Sequence, residues 1–135
     1  MKTTHRFCQL LISASLGIGL AWAQTPAFPS RSISLVVPNP PGGLVDTSAR
    51  LVADPLSRLI GQSVVVDNKP GAGSIIGTDF AAKSAADGYT LLVSHASVHI
   101  YATATRNSMP FDPVGDFTHM GMLVEAPMTL LVRAQ

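Results

Sequence analysis

Cysteine is almost absent: Cys8 is the only one in 135 residues. Disulfides and multi-thiolate metal sites within the chain are thereby excluded. Charge is scarce as well, at 13% of residues, and the formal balance is only +1. No basic stripe exists to grip nucleic acid or an anionic lipid surface. Glu125 is the single glutamate, so a glutamate pair for acid–base work is ruled out. His95, His99 and His119 lack the short paired spacing of a zinc site and read as ordinary core or surface histidines.

What is present begins at the amino terminus. Lys2 and Arg6 make a positive start, Leu10 to Leu20 an uncharged apolar run, and Ala21-Trp22-Ala23 a small-x-small cleavage pattern. The run is eleven residues, well short of the ~20 that a permanent membrane helix requires. Cys8 precedes the apolar run instead of ending it, so a lipoprotein reading fails. Residues 1–23 are thus expected to be a cleavable export signal, with Gln24 the first mature residue, periplasmic localisation and no membrane insertion after cleavage. Removing 23 of the 135 residues leaves 112, with seven basic residues against eight acidic ones. That length holds one modest core.

The mature part alternates strand and helix. After a proline-containing lead-in over 24–31, Ile33 to Val37 is a β-branched run that predicts a buried parallel strand. Leu44 to Ile60 predicts a helix with Leu44, Val45, Ala49, Val52, Leu56, Leu59 and Ile60 along its inner face, closed by Gly61 and kinked or broken at Pro55. Val64 to Val66 is a second strand, and Ile75 to Ala86 a short helix with Ile76, Phe80 and Ala81 inward. Tyr89 to Val93 is a third strand, a short helical stretch follows over Val98 to Thr105, and a fourth strand region lies within Gly121 to Val132, interrupted by Pro127. This order is that of an α/β fold with a parallel sheet and helices on both faces. The chain stops at Gln135 beside an apolar strand, which reads as truncation.

Three strand-to-helix turns carry the chemical interest: Asn39 to Val45, Gly71 to Thr78, and Ser94 to Ser97. In an open parallel sheet such turns gather at the carboxyl edge, where ligands bind. The first two are glycine-rich and lead into helices, whose free N–H groups and partial positive charge favour an anion. Such a site can hold a carboxylate without an arginine. A nicotinamide site is excluded, because Gly71-Ala72-Gly73-Ser74-Ile75-Ile76 has isoleucine where the dinucleotide motif needs its third glycine. A phosphate-binding Walker loop fails for want of Gly-Lys-Ser/Thr. Ser94 and His95 are adjacent and point apart, so they form no nucleophile–base pair.

Phe28-Pro29-Ser30-Arg31-Ser32-Ile33, Val36-Val37-Pro38-Asn39-Pro40-Pro41-Gly42-Gly43 and Asp46-Thr47-Ser48-Ala49-Arg50 together form a familiar opening. It continues through Val64 to Gly77, Ala85 to Leu92 and Phe111 to Phe117. This series of blocks resembles the receptors of tripartite tricarboxylate transporters, the Bug family of extracytoplasmic solute receptors, over nearly the whole mature chain. The resemblance implies a two-lobed periplasmic-binding-protein fold, no enzymatic activity, no cofactor and no metal. It also implies a small carboxylate ligand and delivery to the permease subunits of a membrane transporter. Carried onto this chain, the ligand-binding positions are Asn39, Pro41, Gly42, Gly43 and Asp46, then Ser74, Gly77 and Thr78, then Ser94, His95, Ala96 and Ser97. Asn39 departs from the family, which often has an aromatic residue there, and this makes the site wall more polar. Residues 24–135 are expected to form an amino-terminal lobe without its partner lobe, binding ligand weakly or not at all. Two other readings stand: a small serine-dependent hydrolase or transferase using Ser94 or Ser97, and a ligand-sensing accessory of a two-component system.

Overall fold

The computed structural model describes residues 27–105, 108–127 and 130–133; the export signal expected over residues 1–23 lies outside the described residues. Ile33–Val37 forms β1, Val64–Asn68 forms β2 and Thr90–Leu92 forms β3. The three pair in parallel in the order β2-β1-β3, with Leu35 opposite Val66 on one side and Leu91 on the other. β1 is central, and Ile33, Leu35, Val36 and Val37 are all buried. A strand covered on both faces has little polar side to show, which is why Ser34, half-buried, is the one polar residue among its five.

Leu44–Ile60 forms α1 and Ile75–Ala82 forms α2. Leu35 and Val37 meet Ala49 and Ala53 of α1, together with Val93, and Val45, Val64, Val66 and Leu91 fill the margins. Val36, fully buried, points to the opposite face, and α2 packs against β1 and β3. This is the expected α/β arrangement. Beyond β3, a π-helical turn over Ser97–Tyr101 runs into α3, Ala102–Thr105. A second, smaller core joins Ile75, Val98 and Phe111, with Met109 and Phe117 at its edge, and ties the 108–117 connector to the third turn. At the other end of the sheet the lead-in is strapped down: the Ser30 amide donates to the Tyr89 hydroxyl at 2.8 Å, and Arg31 pairs with Asp87 at 2.9 Å.

Four expectations are corrected. Leu44 and Leu59 are 58% and 83% exposed, whereas Asp46, Ser48, Ala49 and Ala53 are the buried positions of α1. Short side chains let α1 lie close on the sheet, with Val45, Val52, Leu56 and Ile60 half-buried at its sides and Leu44, Leu51 and Leu59 turned outward. The break at Pro55 does not occur, and α1 continues to Gly61 in left-handed conformation (φ 69°), whose amide reaches the Ser57 carbonyl. Pro55 and Leu51, whose carbonyl loses its amide partner, lie on the exposed face, where water replaces the lost donor. In α2, which ends at Ala82 and not Ala86, Ile76 and Phe80 are exposed, while Ile75, Gly77 and Thr78 face inward. The strand expected within Gly121 to Val132 is not found among the described residues, since 121–127 and 130–133 have no regular structure. Pro127 removes a donor there, and no strand among the described residues pairs with that segment.

Candidate functional site

Because all three strands run parallel, their carboxyl ends share one edge, and the turns after β1, β2 and β3 emerge there together. The order β2-β1-β3 reverses direction between β1 and β3, the place where an open α/β sheet leaves a crevice. Hydrogen bonds join the turns directly. The Asn68 side chain donates to the Asn39 carbonyl at 3.0 Å, the Lys69 amide to the Val37 carbonyl at 2.8 Å, and the Val93 amide to the Val36 carbonyl at 3.0 Å. Gly77 permits the closest approach: a Cβ there would lie 2.5 Å from the Lys69 carbonyl oxygen and 2.9 Å from Pro38 Cα. The three turns therefore form one corner.

In the first turn, Gly43 caps α1 without any side-chain hydrogen bond, which leaves the amides of the first helical turn directed outward. Pro41, Gly42 and Gly43 are exposed, and Asn39 is half-buried. Asp46 behaves differently. Its buried carboxylate accepts from the Gly42 amide at 2.8 Å, Arg50 Nε at 3.0 Å and the Asn68 side chain at 2.9 Å, and pairs with Arg50 Nη2 at 3.0 Å. The Arg50 hydrogen bond first, then those from Gly42 and Asn68, hold this carboxyl well below its usual range. Asp46 and the Gly42 amide are committed to each other. Asp46 builds the turn from behind.

The second turn is conformationally demanding. Gly71, Ala72, Gly73 and Ser74 have φ of 136°, 50°, 68° and 76° in succession, and the alanine and serine cost about 1–2 kcal/mol each in this left-handed region. The turn delivers the buried Ser74 hydroxyl to within 3.3 Å of His95 Nε2. Gly77 and Thr78 are interior, with the Thr78 hydroxyl donating to the Ser74 carbonyl at 2.8 Å.

The third turn supplies the centre of the corner. His95 Nε2 lies 3.1 Å from Asn39 Oδ1, and Ser97 Oγ hydrogen-bonds His95 Nδ1. Burial first, then the neighbouring His99, pushes the His95 pKa below its ordinary value, so the ring is neutral near pH 7. A carbonyl oxygen only accepts, so Nε2 carries the proton toward Asn39 while Nδ1 accepts from the Ser97 hydroxyl. Ser94 Oγ is shielded from solvent and has no hydrogen-bond partner among the described residues. Ala96 and Ser97 are exposed. Ser94 and His95 do not pair, as expected. The Asn39–His95–Ser97 connection was missed, and register would have found it. Val36 lies opposite Leu92, and three further residues along each strand bring 39 across from 95.

The corner is a shelf of hydrogen-bonding groups, and among the described residues no cationic side chain is free at its centre. Arg50 is held by Asp46, and Lys69 pairs with Asp67 at 3.1 Å. A depression of about 470 Å³ lies elsewhere, along the outer face of α1 between Thr47, Leu51, Asp54 and Arg58. It is lined by no residue of the three turns. Among the described residues no group of three or more His, Cys, Asp or Glu could hold a metal ion, and no helix is long and apolar enough to cross a membrane.

Comparison with known proteins gives the corner a context. A model of the tripartite tricarboxylate transporter family receptor matches residues 48–135. BugT of Bordetella pertussis is 42% identical over 125 residues, covering 87% of this chain and 38% of BugT. Among solved structures, MatC of Rhodopseudomonas palustris with bound malate aligns with a TM-score of 0.68 at 36% identity, covering 71% of this chain and 33% of MatC. Rpa4515 of R. palustris with adipate gives 0.61 at 40% identity, covering 64% and 29%. The chain thus spans 38% of the length of curated relatives such as BugT.

Proposed function

The chain belongs to the tripartite tricarboxylate transporter family of receptors, and from that premise we propose that it captures a small carboxylate outside the cytoplasm for a membrane permease. The observation that carries this reading is the meeting of three turns at the β1/β3 switch point, joined through Asn39, Ser74 and His95. The uncapped start of α1 offers amides and a partial positive charge to a carboxylate. Asn39, Ser94, His95 and Ser97 supply polar contacts, while Pro41, Gly43 and Ala96 keep the approach open. Ser74, Gly77 and Thr78 shape the wall, and Asp46 holds Gly42 in place. The dicarboxylates malate and adipate, bound in MatC and Rpa4515, make dicarboxylates the first ligands to test.

In this reading residues 1–23 direct export, and residues 24–135 form one lobe whose exposed shelf is one wall of the site. A second lobe, of the kind that the greater length of the relatives leaves room for, would exclude water from the other side. The chain alone then binds weakly, with a Kd of about 1 mM or higher, near −4 kcal/mol. The test is a titration of the isotope-labelled full chain with malate and with adipate, followed by NMR. Resonances of Gly43 to Val45 and Ser94 to Ser97 are expected to move. No shift in either turn at saturating concentrations, or shifts confined to the α1 depression, would overturn the proposal. One observation favours a serine hydrolase instead, the Ser97–His95–Asn39 chain. Ester hydrolysis by the chain that disappears in Ser97→Ala would establish that alternative.

A further inference from the structure

The shelf has donors and acceptors in number, yet among the described residues no fixed positive charge stands opposite an incoming anion. The elements packed around His95 carry few candidates. Its own turn contributes His99. The second turn contributes Lys69, already paired with Asp67, and α1 contributes Asp46 and Arg50, which neutralise each other. On α2, Asp79 is paired with Lys83. Among the described residues the partners of the His95 nitrogens are Asn39, Ser74 and Ser97, all neutral, and none of them is a carboxylate.

Resting on the carboxylate-receptor reading, we infer that His95 takes up a proton from solvent as a carboxylate docks, and that the imidazolium becomes the ligand's counter-charge through the Ser97 hydroxyl. The heavy-atom arrangement serves both states. In the neutral ring, Nε2–H donates to Asn39 Oδ1 and the Ser97 hydroxyl donates to Nδ1. When the proton adds to Nδ1, the Nε2 bond is unchanged and Nδ1–H donates to Ser97 Oγ. The Ser97 hydrogen is thereby released to point outward, where Ser97 is exposed and a carboxylate oxygen can accept it. No covalent bond other than N–H is made. Burial and His99 keep the proton off the empty site, and the ligand's charge reverses that balance.

The test follows the His95 imidazole by NMR in the full chain, from about pH 5 to 8, alone and saturated with malate or adipate. The titration midpoint is expected below the ordinary histidine value in the free protein and about one pH unit higher with ligand. Affinity measured above the range where the ligand's own carboxyls titrate then tightens about three- to sixfold from pH 8 to pH 6. In His95→Gln, affinity at pH 6 falls to or below the parent's value at pH 8, and that pH dependence is lost. Ligand-induced shifts in the turns with an unmoved His95 midpoint and pH-independent affinity would refute the inference and leave the receptor reading standing. PH dependence that survives in His95→Gln refutes it equally. A failure of both acids to perturb either turn sinks inference and receptor reading together.

Discussion

At Asp46 three neighbours converge on one buried carboxylate: the Gly42 amide, the Arg50 guanidinium and the Asn68 side chain. Its pKa in the fold lies well below the ordinary 3.8, so the folded state holds fewer protons than the unfolded chain in acid. The stabilisation is therefore complete above about pH 4 and lost as pH falls through that value toward the folded pKa. Asp112, lowered by the Gly115 and Val114 amides, acts in the same direction. Asp46→Asn is expected to lower the urea midpoint at pH 6 and to flatten, without abolishing, the loss between about pH 4 and pH 2. Equal acid sensitivity in mutant and parent would contradict this account. The sequence singled out Asp46 but as a ligand contact, because nothing in residue spacing announces that Asn68, twenty-two positions away, would occupy its second oxygen. His95 is the converse. Its adjacency to Ser94 drew attention, while its true partners, Asn39 and Ser74, come from other turns.

Between elements, the tightest contact is the one at Gly77, where the start of α2 lies against the backbone of both the first and the second turn. Gly77→Ala would drive a methyl group into the Lys69 carbonyl and Pro38, neither of which is a flexible side-chain end. Destabilisation of about 1–3 kcal/mol is expected from chemical denaturation. Shifts in Asn39 and His95 resonances should accompany it, since the turns are pushed apart. A variant as stable as the parent, with those resonances unmoved, would show that the turns are not mutually braced. Elements as such were legible: β-branched runs marked three strands, and Gly61 closed α1 where expected. Helix faces were legible only in part: Ala49 and Val45 of α1 lie on the core as expected, while Leu44 and Leu59 do not. Apolar side chains on α1 pointed to Leu44 and Leu59, but close packing against a sheet selects small residues, and Ala49 and Ala53 hold the contact.

Over the molecule, the sheet and α1 form one core and the cluster of Ile75, Val98 and Phe111 a second, and among the described residues those from Met120 to Val132 add to neither. Met120, Met122, Leu130, Leu131 and Val132 are largely exposed, so the described residues of this stretch contribute little buried surface. A chain ending after His119 is accordingly expected to keep its unfolding free energy within about 0.5 kcal/mol of the parent and to bind less of a hydrophobic dye. A larger loss would mean that the segment is packed in solution. By itself the sequence determined the α/β class, the strand-turn-helix order and the three turns that share one edge of the sheet. Those features follow from short-range properties: β-branching, the glycine and proline positions, and the parallel connection that puts every strand end on one edge. Only the tertiary structure decided which turn residues touch, which helix face is buried and whether Asp46 looks outward or inward. Those outcomes depend on strand register and on the competition of several donors for one acceptor, and both arise only when distant segments are brought within a few ångströms.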